Sequence, residues 1–128
     1  MAAIVLDASA LIALFRDEPG ADVVADRIGD ALISAVNLQE VVKALLRRGI
    51  AFDIAREMIA GLHLEVRSHD AQSAFAAAAL WPETEKFGSG LGDRSCMALA
   101  IAEGLPVLTM DKAWAELTIT GLEVRLAR

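Results

Sequence analysis

The sequence is poor in cysteine and in aromatic residues. Cys96 is the only cysteine among 128 residues, which excludes an intrachain disulfide and is typical of a chain that works in a reducing cytoplasm. Its thiol is most simply a small buried apolar group on a helix. Aromatic residues make up 5% of the chain, although 55% of it is hydrophobic. We therefore expect a core built mainly from alanine, leucine, isoleucine and valine.

The sequence also lacks a long apolar run. The longest one near the N-terminus lies between Asp7 and Arg16, well short of the roughly 18 residues that a membrane span needs. No basic stretch precedes an apolar segment with a small-residue cleavage site, so we expect no signal peptide. No linker, repeat or low-complexity tract divides the chain. We therefore expect a single domain over 1–128 and a cytoplasmic location.

Positive charge is scarce. Twelve lysines and arginines face eighteen aspartates and glutamates, for a net charge of −6 and an isoelectric point near 4.8. This balance argues against a protein that holds nucleic acid by broad electrostatic attraction. It is compatible with a cluster of carboxylates that needs a cation.

Short apolar runs alternate with amphipathic segments along the chain. We predict strands at 3–6, 31–34, 64–66, 106–109 and 123–126, helices at 10–15, 21–28, 37–48, 51–62, 71–80, 93–103 and 112–117, and a loop at 83–92. Fully buried parallel strands are apolar throughout instead of alternating. The pattern therefore predicts an α/β fold, a three-layer α/β/α sandwich with a short, mostly parallel central sheet.

Acidic residues follow the predicted strands. Asp7 ends the strand in IVLDASALIALF (4–15), and Asp111 follows PVLTM. Asp93 begins a predicted helix after a glycine-rich stretch, and Glu40 lies near the start of another. In a parallel sheet, the carboxyl ends of strands and the amino ends of helices share one edge, where ligand crevices open. We therefore expect these four carboxylates to meet there.

Each acid also has a simpler interpretation as a helix cap. Asp7 would cap the helix that follows it, and Asn37 with Glu40 has the spacing of a capping box. Asp93 and Asp111 would then be ordinary first-turn acids. If all four acids were caps, the three glycines just before Asp93 would have no particular role.

Four converging carboxylates would repel one another, and without a cation some would hold protons. A hard divalent ion resolves this conflict. Mg²⁺ takes oxygen ligands, typically one or two carboxylates and several waters, and leaves positions for phosphate oxygens. Two such ions about 3.5–4 Å apart are the usual arrangement for hydrolysing a phosphodiester.

The sequence resembles the PIN domains, specifically the VapC-type toxins of toxin–antitoxin pairs. The matching stretches are IVLDASALIALF, EPGA, LISAVNLQEVV, GLGDRSCMALAIAEGLPVLTMDKAW and LEVRL, which together span residues 4–126. No single stretch is specific. The signal is their order: Asp, then Glu, then Gly-Asp-Arg-x-Cys-x-Ala-x-Ala, then Leu-Thr-x-Asp.

The resemblance implies a metal-dependent endoribonuclease with the catalytic acids Asp7, Glu40, Asp93 and Asp111. Asp7 and Asp93 would bind Mg²⁺ or Mn²⁺ directly, as one or two ions. Asp111 would complete a second metal site or the outer shell, and Glu40 would act through water. The residues expected to orient these carboxylates by hydrogen bonds are Ser9, Asn37 and Thr109.

The resemblance also implies partners. VapC-type toxins are usually homodimers that a VapB-type antitoxin holds inactive by covering the acidic crevice. The apolar helices predicted at 37–48 and 51–62 offer surfaces for such contacts, and the loop at 83–92 is expected to set substrate preference. The cations that we expect to contact the RNA backbone are Lys43, Arg94 and Lys112.

Three other functions are alternatives to this one. A haloacid-dehalogenase-like phosphatase needs Asp-x-Asp, but Ser9 stands at the second position. A receiver domain needs adjacent acids after its first strand, where this chain has only Asp7. A PIN domain that has lost catalysis would still bind its partner. Among the remaining candidates, the pair His69-Asp70 resembles a metal-binding dipeptide, but Asp70 is better explained as a helix cap.

Overall fold

The structure of the protein is a computed structural model that describes residues 2–128. It contains one sheet of five strands: β1 (Ile4–Leu6), β2 (Ala31–Ser34), β3 (Glu65–Arg67), β4 (Val107–Thr109) and β5 (Val124–Leu126). Their order across the sheet is β3-β2-β1-β4-β5, and all neighbouring strands are parallel. The prediction of an α/β fold with a mostly parallel sheet is confirmed.

Seven α-helices connect and cover these strands in the described part of the chain. They are α1 (Ala8–Phe15), α2 (Ala21–Arg27), α3 (Ala35–Arg47), α4 (Phe52–Ala60), α5 (Ala71–Ala78), α6 (Trp81–Thr84) and α7 (Leu91–Glu103). Short 3₁₀-helices occupy Ile28–Asp30, Glu85–Phe87 and Lys112–Glu116. None of the helices in residues 2–128 is long and apolar enough to cross a membrane.

The core lies on both faces of the sheet. Side chains of a strand point alternately to opposite faces, so Ile4 and Leu6 pack on one side with α1, α2 and α3, whereas Val5 packs on the other with α7. All three β1 side chains are fully buried, and each contributes roughly 1.5–3 kcal/mol through its burial. Trp114 is also buried on the α7 side, which makes it a core residue.

Three helices begin earlier than the sequence predicts, among them α1, which starts at Ala8 instead of residue 10. Helix α3 starts at Ala35, and the hydroxyl oxygen of Ser34 accepts a hydrogen bond from the backbone N–H of Val36 at 3.2 Å. The interpretation of Asn37 as the N-cap is therefore wrong, because the chain turns into the helix directly from β2 and serine is the better-placed cap. Helix α7 starts at Leu91, so Asp93 occupies its first turn and does not begin it.

The predicted loop at 83–92 is partly helical. Helix α6 and the 3₁₀-helix Glu85–Phe87 occupy its first half, and only the residues around Gly88 and Gly90 connect them to α7. Pro82 explains the difference. Proline fits the first turn of a helix, where its missing N–H would have no partner, so the Trp-Pro pair starts α6.

Candidate active site

Asp7 lies at the centre of the acidic edge. It follows β1 and is only 5% exposed. Its Oδ2 accepts hydrogen bonds from the hydroxyls of Ser9 at 2.7 Å and Thr109 at 2.8 Å, whereas its side chain makes no capping bond to α1. The interpretation of Asp7 as a simple helix cap is therefore wrong. Neither hydroxyl bonds to Oδ1. Within residues 2–128, Oδ1 accepts no hydrogen bond, so it can bind another partner.

The two hydroxyls tie Asp7 to the neighbouring strand. The oxygens of Ser9 and Thr109 are 3.2 Å apart. Ser9 accepts a hydrogen bond from the backbone N–H of Met110 at 3.0 Å, and Thr109 accepts one from the N–H of Asp111 at 3.1 Å. The ends of β1 and β4 are thus joined through side chains, as the predicted orienting role of Ser9 and Thr109 requires.

Glu40 is held by contacts with α7. The amide nitrogen of the fully buried Asn37 donates to Glu40 Oε1 at 2.7 Å and to the carbonyl oxygen of Gly92 at 3.0 Å. A β-carbon built on Gly92 would lie 2.5 Å from the carboxyl carbon of Glu40, which is too close for any real contact. The capping-box interpretation of Asn37 and Glu40 is therefore wrong. The glycine before Asp93 instead makes room for the Glu40 carboxylate.

The resemblance implied that Asn37 orients a carboxylate, as its bond to Glu40 does, but its contact with Gly92 was not visible in the sequence. Asn37 and Gly92 are 55 positions apart, so no local pattern connects them. The amide oxygen of Asn37 is buried and has no hydrogen-bond partner among the described residues. The only signal available was the glycine directly preceding Asp93 in GLGD.

Asp93 and Asp111 each make a capping bond in addition to lying at the acidic edge. Asp93 Oδ2 accepts from the backbone N–H of Gly90 at 2.9 Å at the start of α7. Asp111 is exposed, and its Oδ1 accepts from the N–H of Ala113 at 3.0 Å. The capping interpretation is thus correct for one oxygen of each carboxylate.

The pKa of Asp7 reflects its burial and the charges of two other acids. The pKa of the Asp7 carboxyl is raised from 3.8 to about 6, chiefly because burial disfavours its charge. Hydrogen bonds from Ser9 and Thr109 lower this pKa in part, and the charges of Asp93 and Glu40 raise it further. Asp93 and Glu40 therefore lie close enough to the Asp7 carboxyl for their charges to act on it.

These residues fit a hard divalent cation. All the donors are oxygens, the kind that Mg²⁺ and Mn²⁺ prefer, and a cation would stabilise the charge that burial disfavours on Asp7. Within residues 2–128, no three Asp, Glu, His or Cys side chains are grouped closely enough to hold one ion. Mg²⁺ usually takes one or two carboxylates and completes its shell with water, so pairs of these acids suit it.

The three cations predicted to contact RNA differ in their surroundings. Arg94 is half-buried beside Asp93, and its Nη1 donates to the carbonyl oxygen of Ser89 at 2.8 Å. Lys43, one turn after Glu40, and Lys112, directly after Asp111, are exposed.

Away from this site, Asp70 caps α5. Its carboxylate accepts from the backbone N–H and the hydroxyl of Ser73, which lowers the pKa of Asp70. The cap interpretation of Asp70 is confirmed.

A five-stranded parallel sheet with carboxylates along the carboxyl ends of β1 and β4 defines a class of α/β protein with an acidic crevice. A family model, the PIN domain, matches residues 4–119. The chain belongs to the PIN domain family, whose members are generally nucleases that typically use divalent metal ions. This membership replaces the phosphatase and receiver alternatives. None of the curated proteins matches the chain in sequence.

Solved structures of toxin–antitoxin systems share the fold. The chain is 20% identical to a chain of DNA-bound VapBC from Salmonella typhimurium, with a TM-score of 0.75 and all of both chains covered. It is 18% identical to VapBC-1 from nontypeable Haemophilus influenzae, with a TM-score of 0.71 and 97% of each chain covered. For VapBC-5 from Mycobacterium tuberculosis the identity is 26% and the TM-score 0.62, over 97% of this chain and 98% of that one.

Proposed function

We propose that the chain is a VapC-type toxin, an endoribonuclease that depends on Mg²⁺ or Mn²⁺. The observation that carries this proposal is the buried Asp7 carboxyl, which two hydroxyls hold and whose pKa is raised chiefly by burial and further by the charges of Asp93 and Glu40. A carboxylate kept in such surroundings destabilises the fold unless a cation offsets its charge. Membership in the PIN family supports the nuclease activity.

Each acid has a role in the proposed site. Asp7 and Asp93 bind the first ion, and Asp111 completes a second site or the outer shell. A bound divalent ion would activate a water and stabilise negative charge on the phosphate and on the leaving oxygen. Glu40, fixed by Asn37 and Gly92, orients the attacking water.

The remaining residues position the reactants. Ser9 and Thr109 keep Asp7 turned toward the crevice, because both donate to Oδ2. Arg94, Lys43 and Lys112 contact the RNA backbone and offset part of the negative charge of the chain. The net charge of −6 makes general attraction to RNA weak, which suits an enzyme that selects a structured target.

We also propose that a VapB-type antitoxin inhibits the enzyme by covering the crevice. The support is the fold shared with chains from VapBC complexes. The proposal also includes that the chain forms a homodimer and works in the cytoplasm. Sedimentation of the purified chain, alone and with its antitoxin, tests both assemblies.

The experiment that tests the activity is a map of new RNA ends after incubation of total bacterial RNA with the purified chain. Reactions contain Mg²⁺, Mn²⁺ or a chelator. Asp93→Asn removes a proposed ligand, and Asp26→Asn, on the exposed side of α2, is the matched control for loss of one acid. We expect cuts at one or a few sites with wild type and Asp26→Asn, and none with chelator or Asp93→Asn. Cuts that are identical with wild type and Asp93→Asn would contradict the role of Asp93, and a wild type that makes no cuts would leave a silent PIN domain.

A further inference from the structure

A cleft opens beside the acidic edge, between the first turns of α3 and α7 and the helices α5 and α6. Its volume is about 430 Å³. Its walls include Val36, Ala77, Trp81, Leu91 and Arg94. Apart from Arg94, His69 and Ser95, the lining residues are apolar.

Large apolar groups face solvent at this cleft. Leu91 is 78% exposed and Trp81 is 51% exposed. The chain has only two tryptophans, and the other, Trp114, is 1% exposed in the core. An exposed indole face costs hydration free energy unless a partner covers it, so exposed aromatic groups often mark binding sites.

The cleft adjoins the candidate active site along the first turn of α7. Leu91, Gly92, Asp93 and Arg94 are consecutive residues of the first turn of α7. That turn therefore presents the Asp93 carboxylate to the crevice and two side chains to the cleft. On the opposite wall, Val36 directly precedes Asn37, which holds Glu40.

Arg94 gives the cleft a positive charge at this boundary. Its Nη1 donates to the carbonyl oxygen of Ser89 at 2.8 Å, which fixes the guanidinium. Arg94 forms no ion pair with the carboxylates of the described residues. Its charge therefore stays available for a phosphate, next to an apolar surface on which a base can stack.

We infer that this cleft binds a nucleobase next to the scissile phosphodiester, with the base stacked on Trp81 and packed against Leu91 and its phosphate paired with Arg94. The inference rests on the proposed nuclease function and names a specificity-determining surface for it. Its volume of about 430 Å³ lies within the usual range of small-molecule sites. A second copy of the chain is the competing occupant of an exposed apolar surface, and the test distinguishes it.

The test uses the two indole N–H signals in a ¹⁵N-correlated NMR spectrum of the whole chain. Trp81→Phe removes one signal and so assigns both. AMP, GMP, CMP and UMP are titrated separately with Mg²⁺ present, because mononucleotides contain no bond for the nuclease to cut. Ribose 5-phosphate is the control without a base. We expect at least one nucleotide to move the Trp81 signal saturably while the Trp114 signal stays in place.

Variants measure how much each side chain contributes to nucleotide binding. Binding to them is monitored through the NMR shifts of the Leu91 methyl signals, because Trp81 is absent from one of them. Trp81→Leu removes the stacking surface and should weaken binding of that nucleotide about ten-fold, and Arg94→Gln should weaken it several-fold. A Trp81 signal that no nucleotide moves, or that ribose 5-phosphate moves equally, overturns the inference. So does a wild-type dimer in sedimentation that Trp81→Leu converts to monomer, because a second copy then covers the cleft.

The outcomes separate this inference from the proposed function. RNA cleavage by the same preparation without a nucleotide-induced shift overturns the cleft assignment alone. A saturable shift without any RNA cleavage supports the cleft as a base-binding site and contradicts the proposed nuclease activity.

Discussion

The backbone of Gly92 lies against the carboxylate of Glu40, and only glycine leaves space for it. A β-carbon at position 92 would be 2.5 Å from the carboxyl carbon and 2.7 Å from Oε2 of Glu40. Asn37 joins the same two residues by hydrogen bonds from one amide nitrogen. The position of Glu40 in the crevice is therefore set by a contact between α3 and α7.

Gly92→Ala should separate activity from stability. The new methyl group displaces the Glu40 carboxylate, and a shift of about 1 Å in a positioning group can cost about 100-fold in rate. Alanine is also the better helix residue by roughly 0.5–1 kcal/mol, which offsets the local strain. We expect cleavage to fall at least ten-fold while the melting temperature changes little.

Gly90→Ala is the matched control for this prediction. Gly90 is two residues away in the same segment, and nothing lies within 4 Å of a β-carbon built on it. We expect this variant to cleave RNA at close to the wild-type rate. If Gly92→Ala is equally active, the contact does not position Glu40 for the reaction.

Thr109→Val should weaken metal binding without removing a proposed ligand. Valine keeps the shape of threonine but cannot donate to Asp7 or accept from the N–H of Asp111. The loss of one bond that favours ionised Asp7 raises the pKa of its carboxyl further, so protons compete better with the ion. We expect several-fold weaker Mn²⁺ binding by calorimetry at pH 6 and a loss of about 1–3 kcal/mol in the free energy of unfolding.

Thr109→Ser tests whether the hydroxyl is responsible. Serine retains the donor to Asp7 and loses only a methyl group from a buried site. Mn²⁺ affinity in this variant should be close to wild type. Equal weakening in the serine and valine variants would attribute the effect to packing around Thr109 instead of its hydrogen bond.

The sheet could be predicted because its strands are short apolar runs between helices. The prediction for β2 at 31–34 has the observed bounds, and β1 and β4 differ from prediction by one residue at their starts. Parallel strands buried on both faces must be apolar throughout, so their pattern is strong even over three or four residues. The position of acids after β1 and β4 followed from the same runs.

The side-chain contacts of the site could not be predicted in this way. Asn37 has the local spacing of a cap, but its amide bonds to Gly92 on another helix. Asp7 likewise has the position of a cap, yet it is bonded to Thr109 from β4. Both local interpretations failed because tertiary partners, invisible to spacing along the chain, offered better hydrogen bonds.

Cys96 should be unreactive in the folded protein. It is fully buried on α7, where burial raises the pKa of its thiol and suppresses the reactive thiolate. In native buffer, we expect a disulfide reagent to modify Cys96 only as fast as the folded protein opens around it. In denaturant, modification should be complete within seconds to minutes. Cys96→Ala provides the blank. Rapid stoichiometric modification without denaturant would contradict the burial of α7 against the sheet.

The metal-free protein should lose stability as the pH rises from about 4 to about 6. Asp7 has a pKa of about 6 when folded and 3.8 as an unperturbed carboxyl, so the folded state binds more protons than the unfolded state in this window. The free energy of unfolding therefore falls with rising pH, by on the order of 3 kcal/mol from this group, and stays at its lower value above pH 6.

Asp7→Asn isolates this effect from the other titrating groups. The neutral amide has no charge to desolvate, so the variant should match wild type near pH 4 and exceed it in stability at pH 7 in metal-free urea titrations. Saturating Mg²⁺ should narrow or reverse the stability difference between the two proteins at pH 7. The ion binds the carboxylate of the wild type but not the amide of the variant, and ligand binding stabilises the folded state. A stability difference between the two proteins that does not change with pH would show that Asp7 is not held as a destabilised carboxylate, and its role as the primary metal ligand would lose its physical basis.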